Sequence, residues 1–269
     1  MNQLVRSVHL KLERASAQTI KLDNEAQRWI AANHIRAKCE LLKDRLGFRL
    51  VQEEFAEPPP FEQWGLLLGE CAHNMRSALD NLAYALARLH KDPPMSPGQI
   101  SFPIFTDRKR FEESGRKNLK ALPKKAADLI EQLQPFQRNV TSGTGLPESD
   151  ALNLLQQINN FDKHRVPAFV LLAPTRMEHS FSVAFVSEEQ AAKEAPPDTM
   201  IWGGPLAPGA VLIEQRTRSP VAKVEGSYQG AAVLQIQIAD RNLPLEQVIS
   251  VCRYVHLVCS QFNPFFDLP

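Results

Sequence analysis

The stretch from Phe61 to Lys91 contains no proline, yet Pro58-Pro59-Pro60 stand immediately before it and Pro93-Pro94 follow close behind. Proline locks φ and carries no amide hydrogen, so it stops a helix from continuing. Between these stops the spacing predicts one long helix over 61–91. At about 100° per residue, Leu68, Met75, Leu79, Leu82, Leu86 and Leu89 fall on one apolar stripe. Such a stripe has to be buried, so this segment commits the chain to a packed core. With 269 residues, 43% hydrophobic and 23% charged, the chain is long enough to build that core and too apolar to stay disordered.

The remaining pattern is helical first and extended later. Residues 3 to about 35 carry Leu4, Val8, Leu12, Leu22, Trp29 and Ile30 near one face, which predicts a helix that the pattern allows to run on to Leu46. Gly47 opens a short extended run, Phe48–Val51. Ser101–Thr106 reads as extended, followed by short helices near 107–116 and 122–133 and a stop at Gln134-Pro135-Phe136. The loop Thr141–Pro147 has glycines but no Lys-Ser/Thr ending, so it reads as a linker and not a phosphate-binding loop. Ser149 is the expected N-cap of a helix over 150–165. Val166–Leu172, Phe181–Phe185, Met200–Trp202, Ala210–Gln215 and Leu234–Ile238 then read as strands of an antiparallel sheet. A last helix from Pro244 to Phe262 carries Val248, Cys252, Val255, Cys259 and Phe262 on one stripe. The expected class is α+β: a helical bundle over 1–166, then an antiparallel sheet and closing helix over 167–269, packed as one unit.

Charge and cysteine content narrow the setting. Thirty-one Lys+Arg against 30 Asp+Glu leave a net charge of +1, with no global field to draw in nucleic acid or an acidic membrane. Cys39, Cys71, Cys252 and Cys259 contain no C-x-x-C spacing, and no apolar run reaches bilayer length. The chain reads as a cytoplasmic protein with reduced thiols.

The polar residues of the 61–91 helix are not scattered. Gly69, His73, Arg76, Asp80 and Ala87 form a second stripe about 130° from the first. Small residues around a His, an Arg and an Asp suit a covered face better than a solvated one. Covered charges need partners, and Arg76 and Asp80 are spaced to pair along the helix. On the 150–165 helix, Asp162 and Arg165 fall beside the apolar Ile158, while Asn153, Gln156, Asn160 and His164 line the opposite side. Asp162 or Arg165 is therefore expected to meet the His73/Arg76/Asp80 stripe.

The string His73-Asn74-Met75-Arg76-Ser77-Ala78-Leu79-Asp80 resembles the HNLRSALD signature of an uncharacterised bacterial protein family. The resemblance continues through Phe102-Pro103-Ile104, Gln134-Pro135-Phe136 and Asn160-Phe161-Asp162-Lys163-His164-Arg165 (NxDKHR), in the same order over roughly residues 60–166. Met75 stands where that family has Leu. A more distant likeness is to HEPN-type helical bundles, in which an Arg and a His cut RNA without a metal, a chemistry associated with toxins and phage defence. Those carry R-x4-6-H, a spacing matched here by Arg28 and His34, outside the signature. Metal-independent phosphodiester chemistry in this chain would use His73, Arg76, Asp80, Asp162, His164 and Arg165, brought together from the two helices, as its catalytic set. A His would move the proton, an Arg would stabilise charge on phosphate, and an Asp would hold the His tautomer.

Three other readings compete. The same six residues suit a structural polar network in a non-enzymatic interaction or ligand-binding module. Glu70-x-x-His73 has one-face metal-ligand spacing but no second copy, and Cys252-x3-His256-x2-Cys259 lacks a fourth ligand, so no metal is assigned. Arg108, Lys109, Arg110, Arg116, Lys117 and Lys120 form the one local basic excess, the expected contact for RNA phosphates. Nothing in the sequence calls for an organic cofactor.

Overall fold

The computed structural model describes residues 3–141, 143–164, 169–238 and 241–267, with only the backbone for 161–164 and 169. In chain order the elements are α1 (Arg6–Ala32), β1 (Ala37–Leu41), β2 (Gly47–Gln52), α2 (Phe61–His90), α3 (Arg108–Glu113), α4 (Lys124–Gln132), α5 (Ala151–His164), β3 (Phe169–Phe185), α6 (Glu188–Ala191), β4 (Asp198–Ile201), β5 (Val211–Arg216), β6 (Val221–Ile238), β7 (Arg241–Pro244) and α7 (Leu245–Ser260). The class is α+β, with a four-stranded sheet ordered β1-β2-β5-β4 and a three-stranded one ordered β3-β6-β7. Two units interleave in sequence, the first holding Met1–Asn24, Glu62–Phe169 and Ile236–Pro269, the second Glu25–Phe61 and Val170–Gln235. They are not the consecutive halves 1–166 and 167–269 of the sequence reading.

In the first unit α2 supplies the centre of the core. Trp64, Leu68, Met75, Leu79, Leu82 and Leu86 are fully enclosed, as the apolar stripe requires. Each such side chain contributes roughly 1.5–3 kcal/mol relative to exposure. Leu89, expected on that stripe, is 40% exposed, because the helix is one residue from its end. The α7 stripe Val248, Cys252, Val255, Cys259 and Phe262 is buried throughout, and α7 packs on α5. Asn74 binds α1 to α2: Lys11 Nζ donates to its Oδ1 at 3.0 Å, and its Nδ2 donates to Gln18 Oε1 at 2.9 Å. The N-cap of α5 is Asp150 and not Ser149, since the Leu152 amide donates to Asp150 Oδ1 at 2.8 Å.

In the second unit, residues 37–41 are a strand, not an extension of the first helix. Asn33 ends α1, its Nδ2 donating to Trp29 O at 3.0 Å and its Oδ1 accepting the Glu57 amide at 3.2 Å. β1 then pairs antiparallel with β2, placing Glu40 opposite Arg49 in a 2.8 Å ion pair. β2 continues the ladder onto β5. Gly47 is needed there: its φ is +137°, and a Cβ would meet Gln215 O at 2.1 Å. β3 and β6 are longer than their alternating ends announce, 17 and 18 residues, and they pair with each other.

Burial separates the thiols. Cys39 is exposed, while Cys71, Cys252 and Cys259 are buried. Burial pushes the Cys71 and Cys259 thiols up to about 12, and burial followed by the Glu40 charge raises Cys39 as well. A thiol reagent such as DTNB at pH 8 is expected to titrate one cysteine per native chain, Cys39, and all four after denaturation. Rapid labelling of more than one would contradict the packing of α2 and α7.

Candidate functional site

Ser101–Thr106 is in no helix and belongs to no strand ladder. Its backbone hydrogen bonds are met by side chains instead, as an enclosed backbone requires. On the α2 side, Arg76 Nη2 donates to Asp80 Oδ1 at 2.7 Å and to Phe102 O at 2.5 Å, while the Phe102 amide donates to Asp80 Oδ1 at 2.9 Å. The ion pair thus grips both backbone groups of one residue. On the α4 side, Gln134 Nε2 donates to Pro103 O at 2.8 Å and its Oε1 accepts the Phe105 amide at 3.0 Å. The Phe136 amide closes the arrangement on Phe105 O at 3.2 Å. Three strings of the resemblance, HNMRSALD, FPI and QPF, are therefore parts of one clasp around Phe102–Phe105.

Beside this clasp lies a cleft of about 350 Å³, lined by Arg76, Arg110, Asn118, Asn153 and Gln156 together with the Ser101–Asp107 segment. Arg76 is mostly enclosed, with 14% of its side chain exposed, and its Nη1 is buried with no hydrogen-bond partner among the described residues. Arg110 is exposed and its amide is held by the α3 N-cap, Asp107 Oδ1, at 2.8 Å. Asn118 donates to Ser101 Oγ at 2.8 Å, and Asn153 donates to Glu148 O at 2.9 Å. The lining is thus two guanidinium groups, three side-chain amides and one carboxylate that is engaged in capping. Such a set can hold an oxyanion.

The candidate catalytic residues separate. Arg76 and Asp80 are joined, as their spacing requires, with Arg76 Nε also reaching Asp80 Oδ2 at 3.2 Å. His73 is exposed, where the sequence reading had it covered. It bonds Ser77 Oγ at 3.4 Å and is not among the cleft residues. Asp80 therefore serves Arg76 and the Phe102 amide, and among the described residues it bonds no histidine. Asp162 and His164 lie on α5 with their side chains outside the described residues, and Arg165 is outside them altogether. The alternative Arg28/His34 pair does not share a helix, because α1 ends at Ala32.

Polar residues that sequence reasoning passed over do more. Arg138 Nε donates to Asp150 Oδ2 at 2.5 Å and its Nη2 to the Tyr254 hydroxyl at 2.5 Å, with the Asp150 side chain 1% exposed. Burial opposes the Arg138 charge, but the hydrogen bond and charge of Asp150 outweigh it and raise the guanidinium above its ordinary value. Burial raises the Tyr254 hydroxyl too. Asn153 and Gln156 had one local signal, their place on the polar side of α5.

The basic segment divides in two. Arg108 and Arg116 are both ion-paired to Glu131, at 3.4 and 3.0 Å, and Arg108 also lies 4.7 Å from the Phe136 ring centre. Lys109, Arg110, Lys117 and Lys120 are exposed. Lys117 and Lys120 line a second cavity, of about 320 Å³, with His90 and Lys91. The spacings considered for metal lead elsewhere. Gln18 donates to Glu70, His256 Nε2 meets Ser16 Oγ at 2.9 Å, and among the described residues no three His, Cys, Asp or Glu side chains converge as ligands. Among the described residues no helix is long and apolar enough to cross a membrane.

Comparison with known proteins adds no relative: no family model, no curated protein and no solved structure matches this chain.

Proposed function

We propose that this chain is a non-enzymatic ligand-binding module whose Arg76/Arg110 cleft takes a phosphate-type oxyanion. The observation that carries the reading is the cleft lining, where the Arg76 and Arg110 guanidinium groups stand with three side-chain amides and a single carboxylate. Each guanidinium offers a planar fork of donors that matches an oxyanion two bonds at a time, and two of them give the cleft an excess of positive charge. Arg76 also holds the cleft in shape through Phe102, so the network is structural and binding at once.

RNA cleavage of the HEPN type is the weaker reading, because it needs a histidine at the phosphate and His73, the signature histidine whose side chain is described, stands outside the cleft. Arg110 is the clean probe of binding, since it is exposed. Titrating inorganic phosphate into the protein by calorimetry, Arg110→Ala is expected to weaken binding about tenfold with an unchanged melting temperature. Equal binding by wild type and Arg110→Ala, or none by either, would remove the proposal. Metal-free RNA cleavage that disappears in His164→Ala would put the nuclease reading in its place.

A further inference from the structure

We infer that the ligand of this cleft carries a chain of phosphates, which runs from the arginine cleft into the neighbouring lysine cavity. The inference rests on the phosphate reading above and extends it to the chemical class of the ligand. The two cavities are neighbours: Asn118 lines both, and its Nδ2 donates to Ser101 Oγ, which lines the first. The second cavity presents His90, Lys91, Lys117 and Lys120, and no carboxylate belongs to its lining.

Local geometry places the two nearest lysines together. Gly115–Leu119 is a 3-10 helix, and the Lys120 amide bonds Lys117 O at 3.5 Å. Residues three apart along such a helix eclipse one another, and Lys120, its C-cap, still bonds back to Lys117, so the two lysines share a side. None of the three lysines has an ion pair among the described residues, whereas the nearby Arg88, Arg108 and Arg116 are matched by Asp92 and Glu131. Three unmatched ammonium groups around one concavity repel each other, and a polyanion relieves that repulsion.

Charge dominates the lining: His90 supplies its one aromatic ring, against three ammonium groups. Lysine ammonium groups are point charges without the fixed fork of arginine. They suit a flexible phosphate chain whose terminal phosphoryl group is gripped in the arginine cleft.

The test compares orthophosphate, tripolyphosphate, ATP and a mixed-sequence oligoribonucleotide on wild type, Arg110→Ala and the double variant Lys117→Ala/Lys120→Ala. Tripolyphosphate is expected to bind at least tenfold more tightly than orthophosphate. The double variant should lose about that factor for tripolyphosphate while its orthophosphate affinity stays within about twofold. ATP binding as tightly as tripolyphosphate would assign the chain to a nucleotide, and weaker ATP binding to free polyphosphate; both support the inference. Tripolyphosphate binding no tighter than orthophosphate, or insensitive to the lysines, overturns the inference and leaves the single-phosphate cleft standing. Tightest binding of the oligoribonucleotide overturns it in favour of RNA. Loss of all binding to both inorganic anions removes the inference and the reading beneath it.

Discussion

Arg138→Ala is expected to cost about 3–5 kcal/mol of stability, the effect of breaking a buried ion pair from one side. The Asp150 carboxylate is 1% exposed and is matched by Arg138 Nε at 2.5 Å. Its other oxygen accepts the Leu152 amide at 2.8 Å and caps α5. Truncating Arg138 leaves a buried charge and a Tyr254 hydroxyl that loses its bond at one stroke. Chemical denaturation should show a lower midpoint with an unchanged slope. The companion variant Asp150→Asn keeps the cap and removes the charge, so Arg138→Ala/Asp150→Asn should recover part of the loss. A loss below about 1 kcal/mol in Arg138→Ala would mean that the carboxylate is not enclosed as the structure has it.

Gln134→Leu is expected to cost about 2–4 kcal/mol although leucine is nearly the same size, because three backbone groups lose this partner. Gln134 is 0% exposed. Its amide serves Pro103 O, Ile130 O and the Phe105 amide at 2.8, 3.1 and 3.0 Å. With the substitution, Phe105 N–H and Pro103 O remain enclosed and unmet. The readout specific to the clasp is hydrogen exchange: the Phe105 amide should exchange far faster relative to core amides of α2. Because the same segment lines the cleft, phosphate affinity should fall as well, even though Gln134 does not line it. An unchanged Phe105 exchange rate would show that the segment is held by something other than this side chain.

How much of this was legible depends on how local the signal is. α2 and α7 could be read because prolines and 3.6-residue stripes lie within single elements, and Met75, Leu79, Cys252 and Val255 are buried where the periodicity placed them. Arg76 and Asp80 are four apart on one helix, so their pairing was also legible. Their purpose was not, since it depends on Phe102, 22 residues beyond Asp80. β1 had no local pattern: Lys38, Cys39 and Glu40 become a strand because β2 is there to pair with them. His73 shares a stripe with Arg76, yet one is exposed and the other mostly enclosed. A wheel gives the angle of a side chain but not what stands opposite it.

The amino-acid sequence by itself determined the α+β class, the long proline-bounded helix, the closing helix and the identity of the polar residues. These follow from rotation angles and backbone restraints that act within a few residues. The tertiary structure alone decided which polar groups are satisfied and which are left over. Arg108 and Arg116 find Glu131, Asp80 finds an amide of the Ser101–Thr106 segment, and Arg138 finds a tyrosine 116 residues away. Arg76 Nη1 and the lysines beside Asn118 find no such partner among the described residues. Hydrogen bonds and charges pair by distance in space, and no spacing along the chain encodes that distance.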